Sequence, residues 1–204
     1  MTDAGRVIAG TARGTRLVSP GTGTRPLGDR VKETLFAILE PDLAGARVLD
    51  LFAGSGAGGI EALSRGAAAA VFVERDSGAC QAIVENLRRA RVSERASVGR
   101  VDAIKYLREQ ATSDGPFDFV LIDPPYAEPQ LLEAALASVA GATALLGPRA
   151  WVVAKHFWRT PPPETVGLLA SVRTRRFGET GLTFYRQAGP SVADSPPGPQ
   201  EAAR

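Results

Sequence analysis

Residues 47–66 read RVLDLFAGSGAGGIEALSRG, and this stretch decides the fold. The apolar run RVLDLF is followed by the glycine turn AGSGAGG and then by a helical pattern. Gly54, Gly56 and Gly59 fit the spacing GxGxxG, which permits a tight turn from a strand into a helix, with backbone N–H groups facing a ligand. The stretch therefore predicts a strand–turn–helix unit, but the glycine spacing alone is a weak indication of which ligand is bound.

The same alternation of strand and helix continues toward the carboxyl end. AAVFVE, a helix from Ser77 to about Arg91, ASVGRV, DAIKYLREQ and FDFVLI follow in turn. Unbroken apolar strands separated by amphipathic helices are typical of a parallel sheet that is covered on both faces, with ligands beyond the carboxyl ends of the strands. AWVVAKHF, LASVRTRRF and LTFYR predict further strands, and the last two are close enough to pair as a hairpin around GETG.

Three segments are predicted along the chain. Residues 6–18, RVIAGTARGTRLV, are two short β-leaning runs around glycines, so residues 1–24 are predicted to form a basic N-terminal arm or hairpin. The α/β domain occupies residues 25–186. Residues 187–204 contain little that could be buried and are predicted to be a disordered tail.

Composition excludes several classes of protein. Hydrophobic residues make up 44% and charged residues 23%, and no apolar run approaches the ~18 residues of a membrane span. The single cysteine, Cys80, cannot form an internal disulfide, and the chain has no recognisable leader, so a soluble cytoplasmic protein is expected. His156 has no Cys or His partners, so it is interpreted as structural and no metal site is predicted. Trp151 and Trp158 are interpreted as core or edge packing.

Asp50 indicates what the glycine turn binds. It precedes Gly54 by four residues, where the phosphates of a dinucleotide would lie close by. Two like charges at ~4 Å and an effective dielectric constant of 20 repel by about 4 kcal/mol, more than one backbone hydrogen bond returns. A cationic ligand reverses the sign, and S-adenosylmethionine carries a sulfonium and an ammonium group but no phosphate. The alternative is that Asp50 only caps the turn.

Two further carboxylates follow strands. Glu74 ends the second strand, where both dinucleotide and adenosyl ligands use an acid to accept hydrogen bonds from ribose hydroxyls. Glu74 therefore predicts a ribose without distinguishing the two ligands. Asp102, followed by Ala103, fits a contact with the adenine amino group, and a simple helix cap would give the same pattern.

The stretch FDFVLIDPPYAEP, residues 117–129, carries the chemistry. Together with Asp50, Glu74 and Asp102, its DPPY turn resembles the Rossmann-like methyltransferases that modify exocyclic or amide nitrogens. The lone pair of an aromatic amino group is delocalised, so an Asp123 carboxylate and a Pro124 carbonyl that accept its N–H groups would orient it and stabilise the charge that develops. Pro124 and Pro125 make the turn rigid, and Tyr126 offers a ring on which the flipped base can stack.

A longer resemblance narrows the family. RPLGDRVKETLFAIL (25–39), LDLFAGSGAGGIEALSRGA (49–67) and FGETGLTFYR (177–186) are similar to bacterial 16S ribosomal RNA (guanine-2-amino) methyltransferases, the family that modifies guanine 966 of small-subunit rRNA. The resemblance covers about residues 6–186. It implies a class I methyltransferase fold with a seven-stranded, mostly parallel sheet whose last strand is antiparallel, and a cofactor site for S-adenosyl-L-methionine formed by Asp50, Phe52, Ala53, Gly54, Ser55, Gly56, Glu74, Arg75, Asp102, Ala103 and Asp123.

The resemblance also implies that the N-terminal arm contacts RNA. Residues 1–32 carry six basic and two acidic side chains, an excess that suggests a polyanionic partner. The arginines expected to bind RNA are spread through a glycine-rich segment, which suits adaptable phosphate contacts: Arg6, Arg13, Arg16, Arg25 and Arg30. A solvated hairpin is the alternative.

The expected activity is direct in-line methyl transfer to a flipped guanine, in naked 16S rRNA or within a 30S subunit or assembly intermediate, by a monomer. Adenine in DNA and a protein glutamine amide are alternative targets, since similar turns serve them. A nicotinamide-dependent oxidoreductase and a non-catalytic RNA-binding protein are alternatives from other classes. Methylation of a base carbon through a covalent cysteine is disfavoured, because Cys80 lies in a helix pattern away from the DPPY turn.

Overall fold

The computed structural model describes residues 2–19, 21 and 27–188. The predicted tail lies outside the described residues from position 189 onward. Within the described part, the strands are β1 (Thr2–Arg6), β2 (Arg16–Ser19), β3 (Arg47–Leu51), β4 (Ala69–Glu74), β5 (Ala96–Arg100), β6 (Phe117–Ile122), β7 (Leu146–Phe157), β8 (Thr165–Val166), β9 (Leu169–Phe177) and β10 (Thr180–Gln187). The α-helices are α1 (Asp29–Leu39), α2 (Ala57–Ser64), α3 (Ser77–Ala90), α4 (Ala103–Glu109), α5 (Ala111–Asp114) and α6 (Pro129–Gly141). None of them is both long and apolar enough to cross a lipid bilayer.

The main sheet has the strand order β5-β4-β3-β6-β7-β10-β9-β8. Strands β3 to β7 run parallel, and β10 is antiparallel to β7. The predicted Rossmann-like fold is confirmed, with seven longer strands and an antiparallel last strand; the two-residue β8 is an addition at the edge. Because β10 pairs antiparallel with β7, the turn before β10 lies at the carboxyl end of the parallel strands, next to Phe157.

Helices cover both faces of this sheet because side chains alternate along each strand. Val48, Phe72 and Phe119 belong to the cluster that α2 and α3 cover, whereas Leu49 and Val120 belong to the cluster on the opposite face, under α4 and α6. These apolar strands are therefore buried on both sides, as the sequence predicts for a parallel sheet.

The third glycine of the turn fixes how close α2 comes to the sheet. A Cβ atom on Gly59 would lie 2.4 Å from Cε1 of Phe72, a separation that real side chains do not adopt. Glycine at this position therefore allows helix and strand to pack in direct contact.

The N-terminal hairpin, formed by β1 and β2, is packed against the α/β unit. Val7 and Leu17 are both 1% exposed and join the core cluster on the α2 side of the sheet. Glu61 of α2 is fully buried and accepts hydrogen bonds from the backbone N–H groups of Ile8 (2.8 Å) and Ala9 (3.0 Å). The segment that the sequence presents as a basic arm thus contributes to the core as well as to the surface.

One side chain joins this hairpin to the glycine turn. The Asn86 amide of α3 is completely buried, accepts a hydrogen bond from the N–H of Val18 (2.8 Å) and donates to the carbonyl oxygens of Val18 (2.8 Å) and Ser55 (2.9 Å). Both partners are backbone groups, so the contact fixes β2 beside the loop that follows β3.

The C-terminal hairpin, formed by β9 and β10, is the hairpin predicted around GETG. His156 packs its ring on Gly181, where a Cβ atom would lie 2.2 Å from the ring. The ring nitrogens of His156 bond to the Phe157 carbonyl (2.9 Å) and the Thr183 hydroxyl (3.0 Å). Burial lowers the pKa of His156, which favours the neutral ring, and its position within the sheet matches the predicted structural role.

Candidate active site

A cavity of about 630 Å³ opens at the carboxyl end of the sheet, where β3, β4 and β6 lead into loops. This volume is within the range of about 300–1,000 Å³ that is usual for ligand pockets. Every residue predicted to bind the cofactor or to take part in catalysis lines the cavity, except Gly56. Leu27 and Lys155 also line it and were not predicted. The structure therefore brings together residues that are spread over more than 70 positions of sequence.

The glycine turn uses left-handed backbone at three positions: Phe52 (φ 58°), Gly54 (φ 55°) and Gly56 (φ 77°). Gly56 precedes the first residue of α2, which explains why it supports the turn without lining the cavity. The Gly54 N–H donates to Oε2 of Glu74 at 2.9 Å. Because this N–H already has a carboxylate partner, the turn is poorly suited to a second anion, which agrees with the argument against a dinucleotide.

The structure shows the capping contact of Asp50, and its place in the cavity wall leaves the predicted contact with a cationic ligand open as well. Its Oδ2 accepts a hydrogen bond from the Gly59 N–H at 2.8 Å, inside the first turn of α2, and the residue also lines the cavity. Burial raises the pKa of Asp50 to about 7; the Gly59 hydrogen bond opposes this effect, and the charges of Asp123 and Glu74 add to it. A cation placed among these three acids would stabilise their charged forms.

Glu74 is held by two backbone N–H groups, those of Gly54 on Oε2 and Asp76 on Oε1, each at 2.9 Å. A carboxylate has about four acceptor sites, so both oxygens can still accept a ligand hydroxyl. Asp102 caps α4, because its Oδ1 accepts from the N–H groups of Ile104 and Lys105 at 3.0 Å. The helix-cap interpretation of Asp102 is therefore correct, and its place in the cavity wall leaves the predicted adenine contact open as well.

Asp123 is paired with a lysine that sequence reasoning missed. Nζ of Lys155 lies 2.6 Å from Oδ1 and 2.8 Å from Oδ2 of Asp123, and the two side chains are only 11% and 22% exposed. Burial raises the pKa of Asp123, while the charge of Lys155 and its hydrogen bonds oppose that rise. The pair places a carboxylate and its counter-ion at the end of β6.

A signal for Lys155 exists in the sequence. It is the one charged residue in AWVVAKHF, a strand pattern that is otherwise apolar apart from His156. A lysine at the centre of a buried strand needs an acidic partner, since an unpaired buried charge is costly. The parallel pairing of β6 with β7, in which Ile122 lies beside Ala154, identifies that partner as Asp123.

The rest of the DPPY turn is ordered around the cavity. Among the described residues, no donor is hydrogen-bonded to the carbonyl oxygen of Pro124, whereas that of Pro125 accepts from the N–H of Glu128 at 3.0 Å. The Tyr126 hydroxyl lies 3.0 Å from Oγ1 of Thr180, and Nζ of Lys155 lies 5.2 Å from the centre of the tyrosine ring. An available acceptor and a fixed aromatic ring thus stand beside the Asp123 carboxylate.

The rim of the cavity carries exposed charges. Arg75, predicted to contact the cofactor, forms an ion pair with Glu128 at 3.2 Å, which links the loop after β4 to the loop after β6. In the described ranges, no cluster of three or more His, Cys, Asp or Glu side chains is arranged to hold a metal ion. The observed arrangement is thus one of acids, backbone acceptors and a buried ion pair.

Four of the five arginines predicted to bind RNA are described by the structure, and these four do not line the cavity. Arg25 falls outside the described residues, and the other four are exposed: Arg6, Arg13, Arg16 and Arg30. Arg6 pairs with Asp29 at 3.2 Å, and Arg16 pairs with Asp3 at 3.3 Å. Two of the four are therefore partly neutralised by neighbours on the protein itself.

A family model described as "Conserved hypothetical protein 95" matches residues 5–186. The chain belongs to this family. It is 40% identical over 185 residues to the putative rRNA methyltransferase YlbH of Bacillus subtilis, an alignment that covers 90% of this chain and all of YlbH. It is 43% identical over 122 residues to the ribosomal RNA small subunit methyltransferase D of Escherichia coli, an alignment that covers 59% of this chain and 60% of that enzyme.

Solved structures agree with this membership. The putative methyltransferase yhhF from Escherichia coli superposes with a TM-score of 0.81 at 32% identity, covering 92% of this chain and all of that one. The family recognised from the Asp50, Glu74 and DPPY motifs is confirmed, and with it the prediction of an S-adenosylmethionine-dependent methyltransferase.

Proposed function

We propose that this chain methylates the exocyclic 2-amino group of a guanine in 16S rRNA, at the position equivalent to guanine 966. The reaction is a direct in-line transfer to a flipped base. The protein acts as a monomer, on naked RNA or on RNA within a 30S subunit or assembly intermediate. Similarity to the small subunit methyltransferase D of Escherichia coli and to YlbH supports rRNA as the substrate class.

The cavity residues fit S-adenosylmethionine. When bound, this cofactor supplies an electrophilic methyl group on a cationic sulfur. Glu74 would accept hydrogen bonds from the ribose hydroxyls, and Asp102 and Ala103 would border the adenine. Asp50, whose pKa is raised by burial and by its acidic neighbours, gains from a nearby positive charge. A dinucleotide would bring further negative charge to the same three acids.

Asp123 and Pro124 orient the target amino group. One N–H is donated to a carboxylate oxygen of Asp123 and the other to the carbonyl oxygen of Pro124, which among the described residues has no other donor. Each oxygen of Asp123 already accepts from Lys155 and has a second lone pair for the substrate. The charge and hydrogen bonds of Lys155 oppose the rise that burial causes in the pKa of Asp123, and so favour the carboxylate form, which can stabilise the positive charge that develops on the nitrogen.

Tyr126 supports the base. The contact of its hydroxyl with Thr180 and the tilted packing of its ring against Phe157, with 6.5 Å between the centroids, fix the ring before the substrate arrives. Stacking of a base on an aromatic ring contributes about 1–3 kcal/mol, which offsets much of the cost of removing the base from its stack.

The observation that carries this proposal is the joining of two motifs in one cavity. Asp50 and Glu74, the acids suited to the cofactor, share a cavity wall with Asp123 and the available carbonyl oxygen of Pro124. A methyl donor and an acceptor amine held at these sites are adjacent, which is the geometry that group transfer needs.

The test is to identify the product. The full chain is incubated with S-adenosylmethionine carrying a labelled methyl group and with small-subunit rRNA, 30S subunits, DNA or a glutamine-containing peptide. The digested products are analysed by mass spectrometry. We expect N2-methylguanosine from a single rRNA position. Label in N6-methyladenine or methylglutamine would overturn the proposed substrate and favour the alternatives. Asp123→Ala serves as the inactive control.

A further inference from the structure

The C-terminal hairpin brings two arginines together around a tryptophan at the carboxyl end of the sheet. Trp158 directly follows β7, Arg159 follows it in the chain, and Arg176 lies near the end of β9. We propose that these three residues, called here the Trp158 surface, bind the RNA strand that flanks the flipped guanine. This inference rests on the proposed function and adds a binding surface outside the cavity.

The three side chains form one stacked cluster. Cζ of Arg176 lies 3.5 Å from the centre of the Trp158 ring, and Cζ of Arg159 lies 5.0 Å from it. Nε of Arg176 donates to the carbonyl oxygen of Gly178 at 3.0 Å, which holds the guanidinium group in place on the ring. Two positive charges are therefore held close to one another, an arrangement that an anion would relieve.

A second arginine–tryptophan stack, farther back along β7, shows what a neutralised version looks like. There, Cζ of Arg186 lies 3.7 Å from the centre of the Trp151 ring, but both residues also contact Asp42, at 3.0 Å. Within the described ranges 2–19, 21 and 27–188, neither Arg159 nor Arg176 has an ion-pair partner. Among the described residues, the two arginines of the Trp158 surface thus form no ion pair, whereas Arg186 of the other stack does.

The Trp158 surface is continuous with the catalytic turn. The Trp158 and Phe157 ring centroids are 6.5 Å apart, and the same distance separates Phe157 from Tyr126. Thr180, which contacts the Tyr126 hydroxyl, begins the strand that pairs with both Phe157 and Phe177. An RNA strand whose flipped guanine stacks on Tyr126 would thus place an adjacent nucleotide on the Trp158 surface.

The chemistry of the surface matches single-stranded RNA. Guanidinium groups bind phosphate oxygens through two parallel hydrogen bonds, and unstacked bases pack on aromatic rings and on guanidinium planes. Arg159 and Arg176 offer both phosphate binding and a stacking plane, and the ring of Trp158 supports their guanidinium groups. Extrusion of the target guanine leaves neighbouring nucleotides unstacked, so the occupant is the RNA segment on one side of that guanine.

The test uses full-length protein and compares Arg159→Gln/Arg176→Gln with Arg173→Gln. Arg173 is also an exposed arginine of β9, but it lies opposite Phe184, farther along the strand from the turn. The dissociation constant for a single-stranded rRNA fragment is measured by fluorescence anisotropy between about 50 and 200 mM salt. Methylation kinetics, and binding of S-adenosylhomocysteine by calorimetry, are measured in parallel.

We expect the double variant to bind the fragment about ten-fold more weakly. The magnitude of the slope of log K against log salt should fall by roughly 1.4, because each phosphate contact on a single strand contributes about 0.7. KM for RNA rises, while kcat and cofactor affinity are retained. Arg173→Gln leaves the slope unchanged. Trp158→Leu weakens binding but changes the salt slope by less than the value for one phosphate contact, because it removes stacking rather than charge.

The outcomes separate this inference from the proposed function. If the wild-type protein yields N2-methylguanosine but the double variant keeps its affinity and slope, the Trp158 surface is wrong and the function stands. If the wild-type product is a different nucleoside while the double variant loses slope as expected, the surface stands and the proposed target is wrong. An equal loss in Arg173→Gln also refutes the surface, because the effect would then reflect general charge.

Discussion

The N-terminal and C-terminal hairpins are both rich in arginine, but they differ in what their arginines contact. In the N-terminal hairpin, Arg6 and Arg16 form ion pairs with Asp29 and Asp3. In the C-terminal hairpin, Arg176 rests on Trp158 with no acidic partner among the described residues. Positive charge in the sequence therefore does not by itself identify the face that is ready to bind a polyanion.

The way each hairpin is attached differs as well. The N-terminal hairpin is held by buried side chains, Glu61 and Asn86, which bond to its backbone. The C-terminal hairpin is held by strand pairing, since β10 pairs along its length with both β7 and β9. Side-chain changes in the helices should thus loosen the first hairpin and leave the second intact.

Loss of Asp123 is expected to have the largest effect, because it removes the chemistry that RNA bound by either hairpin would serve. Asp123→Ala should lower kcat by about 10²–10³-fold, the usual cost of losing one stabilising contact to a developing charge. Binding of RNA and of cofactor should stay within a few-fold. Single-turnover methylation and anisotropy measure the two effects, and unchanged turnover would refute the catalytic role.

Two further variants separate chemistry from folding in that experiment. Asp123→Asn keeps an acceptor and a partner for Lys155, so it should lose less activity than Asp123→Ala. Asp123→Ala/Lys155→Met also removes the buried unpaired ammonium group, and should regain stability without regaining turnover. Recovery of turnover in the double variant would mean that Asp123→Ala is inactive only because it is misfolded.

Glu61→Ala is the strongest test of the difference in attachment. This buried carboxylate binds Arg65 at 2.8 Å as well as the N–H groups of Ile8 and Ala9, so its removal should cost about 3–5 kcal/mol in the free energy of unfolding. Urea denaturation measures the loss, and hydrogen exchange should rise in β1 and β2 but not in β9 and β10. Glu133→Ala, which removes an exposed acid of α6, is the matched control and should change stability little.

Asp50→Asn tests the acidic cavity itself, through the pH dependence of stability. The folded-state pKa of Asp50, about 7, is raised above its ordinary value of 3.8, so the native protein holds a proton that the unfolded chain releases. Its contribution to stability is therefore present below about pH 4 and is lost as the pH rises to about 7. Relative to the wild type, Asp50→Asn should become progressively more stable over this window, at up to about 1.4 kcal/mol per pH unit.

Cofactor binding gives an independent measurement of the same carboxyl group. A cation in the cavity lowers the pKa of Asp50, so binding of S-adenosylmethionine at pH 6–7 should release a proton from the wild type and not from Asp50→Asn. Calorimetry in two buffers of different ionisation enthalpy counts the protons. Equal proton release by both proteins would show that another group titrates.

The smallest expected effect concerns the paired arginines of the N-terminal hairpin. Arg6→Gln/Arg16→Gln should weaken RNA binding by only about two- to three-fold, because each guanidinium must leave a protein carboxylate before it gains a phosphate. Comparison with Arg159→Gln/Arg176→Gln in the same anisotropy assay checks this order. A larger loss in the N-terminal variant would reverse the ranking of the two hairpins. Deletion of residues 1–24 is less informative, since it also removes the buried Val7 and Leu17.

Much of the fold and of the cofactor site could be predicted from short-range patterns. Apolar runs and glycine spacing predicted the order of strands and helices along the chain. The acids at the ends of β3, β4 and β6 are brought together because parallel strands end on one side of the sheet. Asp50, Glu74 and Asp123 could therefore be grouped before any coordinates were known.

The contacts that depend on register could not be predicted. Lys155 reaches Asp123 only because β7 lies beside β6, and the 12 residues of β7 allow other alignments. The N-terminal hairpin looked like a free arm, because the residues that hold it, Glu61 and Asn86, are far away in sequence. Trp158 was interpreted as packing, and only the position of Arg176 across the hairpin shows its charged surroundings.

The contact between Gly59 and Phe72 bears on how glycine fingerprints evolve. The glycine is required by the bulk of an aromatic side chain on the neighbouring strand, so it reports a steric fit between two secondary-structure elements rather than the identity of any ligand. Homologues that carry a smaller side chain at the equivalent of position 72 would be free to substitute this glycine and keep the same activity. Covariation of positions 59 and 72 is the pattern that such a constraint would leave.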